Sequence, residues 1–134
     1  MRKIKRIIVH CSATKASQDI TVEDVRRWHK LRGWSDIGYH YFIDIHGAVS
    51  IGRPIYKQGA HVKGHNGDSV GICYAGGVDS KGKPKDTLTK PQRDAIQTVI
   101  DSIRVLFGNR ITIHGHNEFA NKACPSFKVE KHFS

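Results

Sequence analysis

His114-Gly115-His116-Asn117-Glu118-Phe119-Ala120-Asn121-Lys122-Ala123-Cys124-Pro125-Ser126-Phe127 is the stretch around which this chain is organised. His116 and Cys124 stand eight positions apart, and Lys122 lies two residues before the cysteine. Imidazole and thiolate are ligands that Zn²⁺ favours, and a loop of this length can bring both onto one ion. Two protein ligands do not complete a zinc site, so a third must come from elsewhere. The best candidate lies at the other end of the chain: His10, closing the apolar run Ile7-Ile8-Val9. Two His, one Cys and an open fourth position describe a catalytic zinc rather than a structural one. The plainer reading makes His116 a surface histidine and Cys124 a small buried hydrophobe. That reading is the better one for either residue alone; for the whole stretch, with Lys122 and Pro125 in place, the metal is.

Working outward, 134 residues fit one domain, 1–134, with one core. A hydrophobic fraction of 38% is adequate for folding, and no repeat or low-complexity run appears. No apolar run approaches the ~18 residues of a membrane span. The start, Met1-Arg2-Lys3-Ile4-Lys5-Arg6-Ile7-Ile8-Val9-His10, is basic and then apolar. Its apolar part is too short for a secretory signal, so synthesis in the cytoplasm with an unknown export route is expected. Three cysteines, Cys11, Cys73 and Cys124, argue against a disulfide framework. Cys11 follows His10 directly and points to the opposite face of an extended strand, which makes it core. Cys73, inside Val70 to Ala75, is also read as core. The formal net charge of +10 attracts polyanions without choosing among them. No basic run is interleaved with aromatics, so nucleic acid is not expected as a partner.

Ile4 to Val9 reads as a strand buried on both faces, with His10 where it ends. Thr21 caps a helix with Asp24 three residues on, and Gly33 ends it; His29 is read as a packing or surface residue. Tyr39 to Ile45 and Ala48 to Gly52 form a hairpin turning at Gly47, with Tyr39 entering where a polar tip can face a cleft. The segment from Arg53 to Asp68 has no period, and His61 and His65 in its glycine-rich part are expected to be exposed. Val70 to Ala75 is the next strand, and Asp79 to Asp86 is a polar loop, expected to be the most mobile part. Thr89 and Gln92 form a capping box with Pro91 in the first turn. Ala95, Ile96, Val99, Ile100, Ile103, Leu106 and Phe107 then make one apolar stripe, stopped by Gly108. Ile111 to Ile113 is a last strand, and Phe127 to Phe133 closes the domain. The alternation predicts an α/β fold: a single domain with a mixed central β-sheet of about five strands flanked by helices.

Five blocks in this order resemble a known family. They are Ile8 to Thr14, Asp36 to Tyr41, Gly59 to Asn66, Ser69 to Ile72, and Gly115 to Glu118 continuing through Lys122 to Phe127. Together they resemble the type 2 N-acetylmuramoyl-L-alanine amidases, a class that includes phage lysozyme-type amidases and shares its fold with animal peptidoglycan-recognition proteins. The resemblance covers nearly the whole chain. It implies zinc held by His10, His116 and Cys124, with Tyr39 and Lys122 catalytic. His114 is a rival imidazole for the metal; the family spacing to Cys124 favours His116. Many binding-only relatives lack the ligating cysteine, which this chain keeps.

The implied reaction is hydrolysis of the amide between the lactyl group of N-acetylmuramic acid and L-alanine in peptidoglycan, with Zn²⁺ as cofactor and a bacteriolytic, endolysin-like outcome. Lys122 would stabilise the oxyanion, and the Tyr39 hydroxyl would hydrogen-bond the water or the intermediate. Glu118 is read as structural. His40, His61, His65 and Asn66 are the candidates for gripping glycan strand or stem peptide. The expected partner is peptidoglycan, with no membrane segment and the protein a monomer. The alternative from a different class is a non-catalytic peptidoglycan-binding module on the same fold, which would bind cell wall without releasing peptide. A nucleic-acid-binding protein, suggested by charge alone, would show a steep salt dependence on DNA of any sequence.

Overall fold

The computed structural model describes residues 2–134. Among the described residues are seven strands and two α-helices: β1 (Arg6–Cys11), β2 (Thr14–Lys15), α1 (Val22–Leu31), β3 (Tyr41–Ile43), β4 (Val49–Ile51), β5 (Ser69–Tyr74), β6 (Gly77–Val78), α2 (Lys90–Phe107) and β7 (Thr112–Gly115). Five strands form one sheet in the order β4-β3-β5-β1-β7. Only the β3–β4 hairpin is antiparallel; β3–β5, β5–β1 and β1–β7 pair in parallel. This is the mixed, helix-flanked sheet that the alternation predicts. The hairpin turns on Gly47 at φ 85°, a backbone conformation that glycine adopts without steric cost.

Parallel strands need both faces covered, and the β-branched composition of β1 and β5 reflects it. On one face Ile7, Val9, Val70, Ile72 and Tyr74 pack with Ile96, Ile100 and Ile103 of α2. On the other, Phe42 and Cys73 pack with Val25 of α1 and with Ile37 and Ile20. His10 is in register with Cys73, and Cys73 with Phe42, so all three side chains leave the α1 face. The site is built there.

Both helix starts are capped as their sequences predict. Thr21 and Asp24 bond reciprocally ahead of α1, and Thr89 and Gln92 ahead of α2. Gln92 goes further: its Nε2 donates to the carbonyls of Asp44 and Ala75, tying α2 to the end of the sheet. Gly33 takes φ 92° just beyond the α1 cap residue Arg32. Leu106 departs from the expected stripe. It is 74% exposed, because the stripe on α2 is narrower than the run of apolar residues.

Other boundaries shift. β1 begins at Arg6 rather than Ile4 and runs through Cys11, so His10 lies inside the strand. β3 is confined to Tyr41–Ile43, leaving Tyr39 and His40 ahead of it. The polar loop after Gly77 is held at its base by the two-stranded β2–β6 sheet and a bridge from Val78 to Pro84. Asp79 Oδ1 accepts from the amides of Lys81 and Lys83 within it. Cys11 and Cys73 are buried, as a core reading of both requires, and the cysteines carry no disulfide.

Candidate metal centre

β1 delivers His10, a 3₁₀ turn at His116–Glu118 directly after β7 delivers His116, and the following loop delivers Cys124. β1 and β7 are neighbours, so the opposite ends of the chain meet here. One nitrogen from each imidazole and the Cys124 Sγ all lie within 4.8 Å of one another. His10 Nδ1 is 3.8 Å from Sγ. A tetrahedral zinc with ordinary bond lengths separates its nitrogen and sulfur ligands by about 3.6 Å, so the spacing fits that ion. The His10 and His116 rings are 4.7 Å apart between centroids.

Electrostatics suits the donors to a metal. Burial, then the nearby His61, His116 and Lys122, holds the His10 imidazolium well below the ordinary range. Burial and Lys122 lower His116 as well. Both rings are therefore neutral at pH 7 and keep a lone pair, as ligation requires. The Cys11 amide donates to Cys124 Sγ at 3.2 Å, fixing the sulfur. Contact with Cys11 and burial push the Cys124 thiol up. A bound cation overrides that balance, because a coordinating thiol is deprotonated outright. The donor set and its spacing thus fit zinc.

His114 is committed elsewhere. Its Nδ1 meets Glu118 Oε1 at 2.9 Å, and its Nε2 meets Thr112 Oγ1 at 2.7 Å. Glu118 Oε2 also accepts from the Gly115 amide, so this carboxylate shapes the turn that presents His116. Glu118 is structural, and the geometry groups His116, not His114, with the other two donors.

A cleft of about 540 Å³ opens at His116, lined by residues that include Trp34, His61, Asn66, Phe119 and Lys122. Lys122 is exposed at its edge. Tyr39 is half-buried, with its ring 4.9 Å from that of His10. It lines a smaller hollow of about 70 Å³ with Ser12, Trp28 and Arg32. Burial and the neighbouring thiols raise its hydroxyl well above the ordinary range, so it stays protonated and can donate. Neither Trp34 nor Phe119 belongs to a periodic apolar pattern, so the sequence carries no signal for their place in the cleft wall.

Two of the expected substrate contacts do not hold. His40 is 0% exposed. Its Nδ1 accepts from the Gly71 amide and its Nε2 donates to the Lys57 carbonyl, so it has nothing left for a ligand. His65 is half-buried, bonded to Arg6 at 3.0 Å and packed on Phe119, and it is not part of the cleft wall. His61, expected to be exposed, is buried, with 9% of its surface exposed, and it lines the cleft. Asn66 lines the cleft, with its Oδ1 accepting from the His61 and Val62 amides. His29 is buried, as a packing residue should be, with its Nδ1 accepting from Gly38.

Burial lowers His29 and His40 to about 4 each. Their folded values lie below the ~6.5 of an unfolded chain, so the unfolded state binds more protons in between. The stability they contribute is full above pH 6.5 and is lost as pH falls toward 4. Urea melts in chelator at pH 7 and pH 4.5 should show a lower midpoint in acid. His29→Gln should reduce the difference.

The family profile described as N-acetylmuramoyl-L-alanine amidase matches residues 1–127. The chain is similar to the endolysin of Klebsiella phage KP32, at 42% identity over 130 residues, covering 97% of this chain and 85% of that protein. It is also similar to the endolysin of Escherichia phage T7, at 41% identity, covering 93% and 82% respectively. Among solved structures, Drosophila PGRP-LB superimposes with a TM-score of 0.83 at 27% identity, covering 100% of this chain and 85% of that one.

Proposed function

The chain belongs to the N-acetylmuramoyl-L-alanine amidase family, and from that premise we propose that it is a zinc-dependent hydrolase. Its substrate is the amide joining N-acetylmuramic acid to L-alanine in peptidoglycan, and its products are a free stem peptide and a bare glycan strand. The convergence of His10, His116 and Cys124 within 4.8 Å supports this reading most directly. A cleft with His116 in its wall lies beside them, and no helix among the described residues is long and apolar enough to cross a membrane.

In this mechanism His10, His116 and Cys124 would hold the ion. Bound there, zinc would supply Lewis acidity for polarising a carbonyl and activating water near neutral pH. The chain's own groups do the rest. Lys122, which lines the cleft with His116, would offer its ammonium to the negative charge developing on the former carbonyl oxygen. Tyr39, protonated at any working pH, donates a hydrogen bond from the His10 side. Trp34 and Phe119 give the cleft apolar walls against which a sugar or a peptide side chain can pack. The basic surface, +10 over the chain, draws the protein to an acidic polymer.

Digestion of purified muropeptides, followed by mass analysis, tests the proposal. Free stem peptide is expected without chelator and none with it, and zinc should restore release. Cleavage that is equal in chelator would remove the metal from the mechanism. Retention of the polymer without any released peptide would make the chain a binding module.

A further inference from the structure

His61 is largely buried, and its surroundings point to a role besides touching substrate. Its ring fills a slot made by two glycines. A Cβ on Gly71 would stand 2.8 Å from His61 Cγ, and one on Gly59 would stand 2.8 Å from Cδ2. Gly71 sits in the middle of β5, in register with Ile8 of β1, so its missing side chain lets the ring lie flat on the sheet two residues from His10. Asn66 fixes the backbone at His61 from the other side.

The hydrogen bonds through this ring run in one direction only. The Ser69 hydroxyl donates to the His65 carbonyl at 2.7 Å, a partner that can only accept. A hydroxyl has one proton, so Ser69 Oγ must accept from His61 Nε2 at 3.2 Å. His61 is therefore the tautomer with hydrogen on Nε2, and its Nδ1 carries a lone pair. No carboxylate touches the ring among the described residues; its partners are a hydroxyl and a second imidazole, so nothing beside it stabilises a second proton. The His10 Nε2 facing that lone pair at 2.8 Å must then be the donor. This leaves the lone pair of His10 on Nδ1, the atom that faces Cys124 Sγ.

We propose that His61 and Ser69 are positioning residues that lock His10 in the Nε2–H tautomer, so that its Nδ1 is presented to the metal already deprotonated. The inference rests on the zinc reading given above. Partners of this kind orient a ligand and raise its basicity, and their loss typically costs about 10–100-fold in metal affinity. His61→Leu removes the acceptor while filling most of the slot. His61→Asn keeps an oxygen where Nδ1 stood. Ser69→Ala frees the Nε2 end without touching His10.

Two measurements test the relay. In uniformly ¹⁵N-labelled wild-type protein held in chelator, two-bond ¹⁵N–¹H correlation spectra should show both His10 and His61 protonated on Nε2. Zinc affinity, titrated with Zn²⁺ alone against a chromogenic chelator, should fall about 10–100-fold in His61→Leu. It should fall less in Ser69→Ala and stay within a few-fold of wild type in His61→Asn. His10 protonated on Nδ1 in the wild type would overturn the proposal, as would a His61→Leu variant binding zinc as tightly as wild type. A higher KM at saturating zinc with unchanged affinity would instead return His61 to the substrate. A wild-type protein that binds no zinc would end the zinc reading, while the spectra would still decide the tautomer.

Discussion

Cys124→Ser should abolish peptide release and strip the protein of zinc, although the substitution changes one atom. The sulfur is held by the Cys11 amide at 3.2 Å and faces His10 Nδ1 at 3.8 Å. A serine oxygen sits closer to its own Cβ and so retreats from the other two donors. It also remains a neutral hydroxyl where the thiol becomes a thiolate, and zinc prefers the softer, charged ligand. His10→Ala should have the same consequence from the opposite end of the chain. The check is metal content by elemental analysis after dialysis against a weak chelator, with peptide release measured alongside. Wild type should keep a stoichiometric ion, and both variants should keep almost none. Melting of the metal-free proteins should differ little for Cys124→Ser, because Cys124 is only half-buried. A Cys124→Ser protein with full zinc and full activity would dismiss the centre.

Lys122→Ala should separate chemistry from metal binding. The ammonium stands near enough to His10 and His116 to lower the proton affinity of both. A group that repels a proton there also repels a divalent ion, so removing it should leave zinc affinity unchanged or slightly raised. The rate should nonetheless fall by about 10²–10³-fold, the usual loss when a donor to a developing oxyanion is deleted. The loss should appear in kcat, with KM little affected. Lys122→Met, which keeps the length of the stem without the charge, should lose as much. Full activity in either variant would take Lys122 out of the mechanism. Loss of zinc along with rate would make its role structural.

The centre was legible because its chemistry is carried by residue type and spacing. His116 and Cys124 sit on one loop, and His10 follows a run that reads as a central strand. The hairpin at Gly47 and both capping boxes were legible for similar reasons, since each depends on neighbours within a few positions. His61 was not legible. Its segment has no period, and its glycines read as slack when they in fact provide room for two buried rings. The usable signal lay elsewhere, in Gly71. A glycine within the otherwise buried strand Ser69–Tyr74 marks a place where something approaches closely. His40 was misplaced for a related reason: it lies beside Tyr39 in sequence, yet it faces the Gly71 amide. The two-residue strands β2 and β6 are too short for alternation to register, and Leu106 shows that an apolar run can outlast the face that needs it.

The first and last strands of the sheet lie side by side, with Ile7 opposite Ile113. One flank of β1 pairs with β5, and the other stays open until β7 joins it. A chain lacking β7 and the loop after it therefore holds only His10 of the three donors. On the reading proposed above, fragments that stop short of His116 lack two of the three donors and should release no peptide from cell wall, however well the rest of the sheet forms.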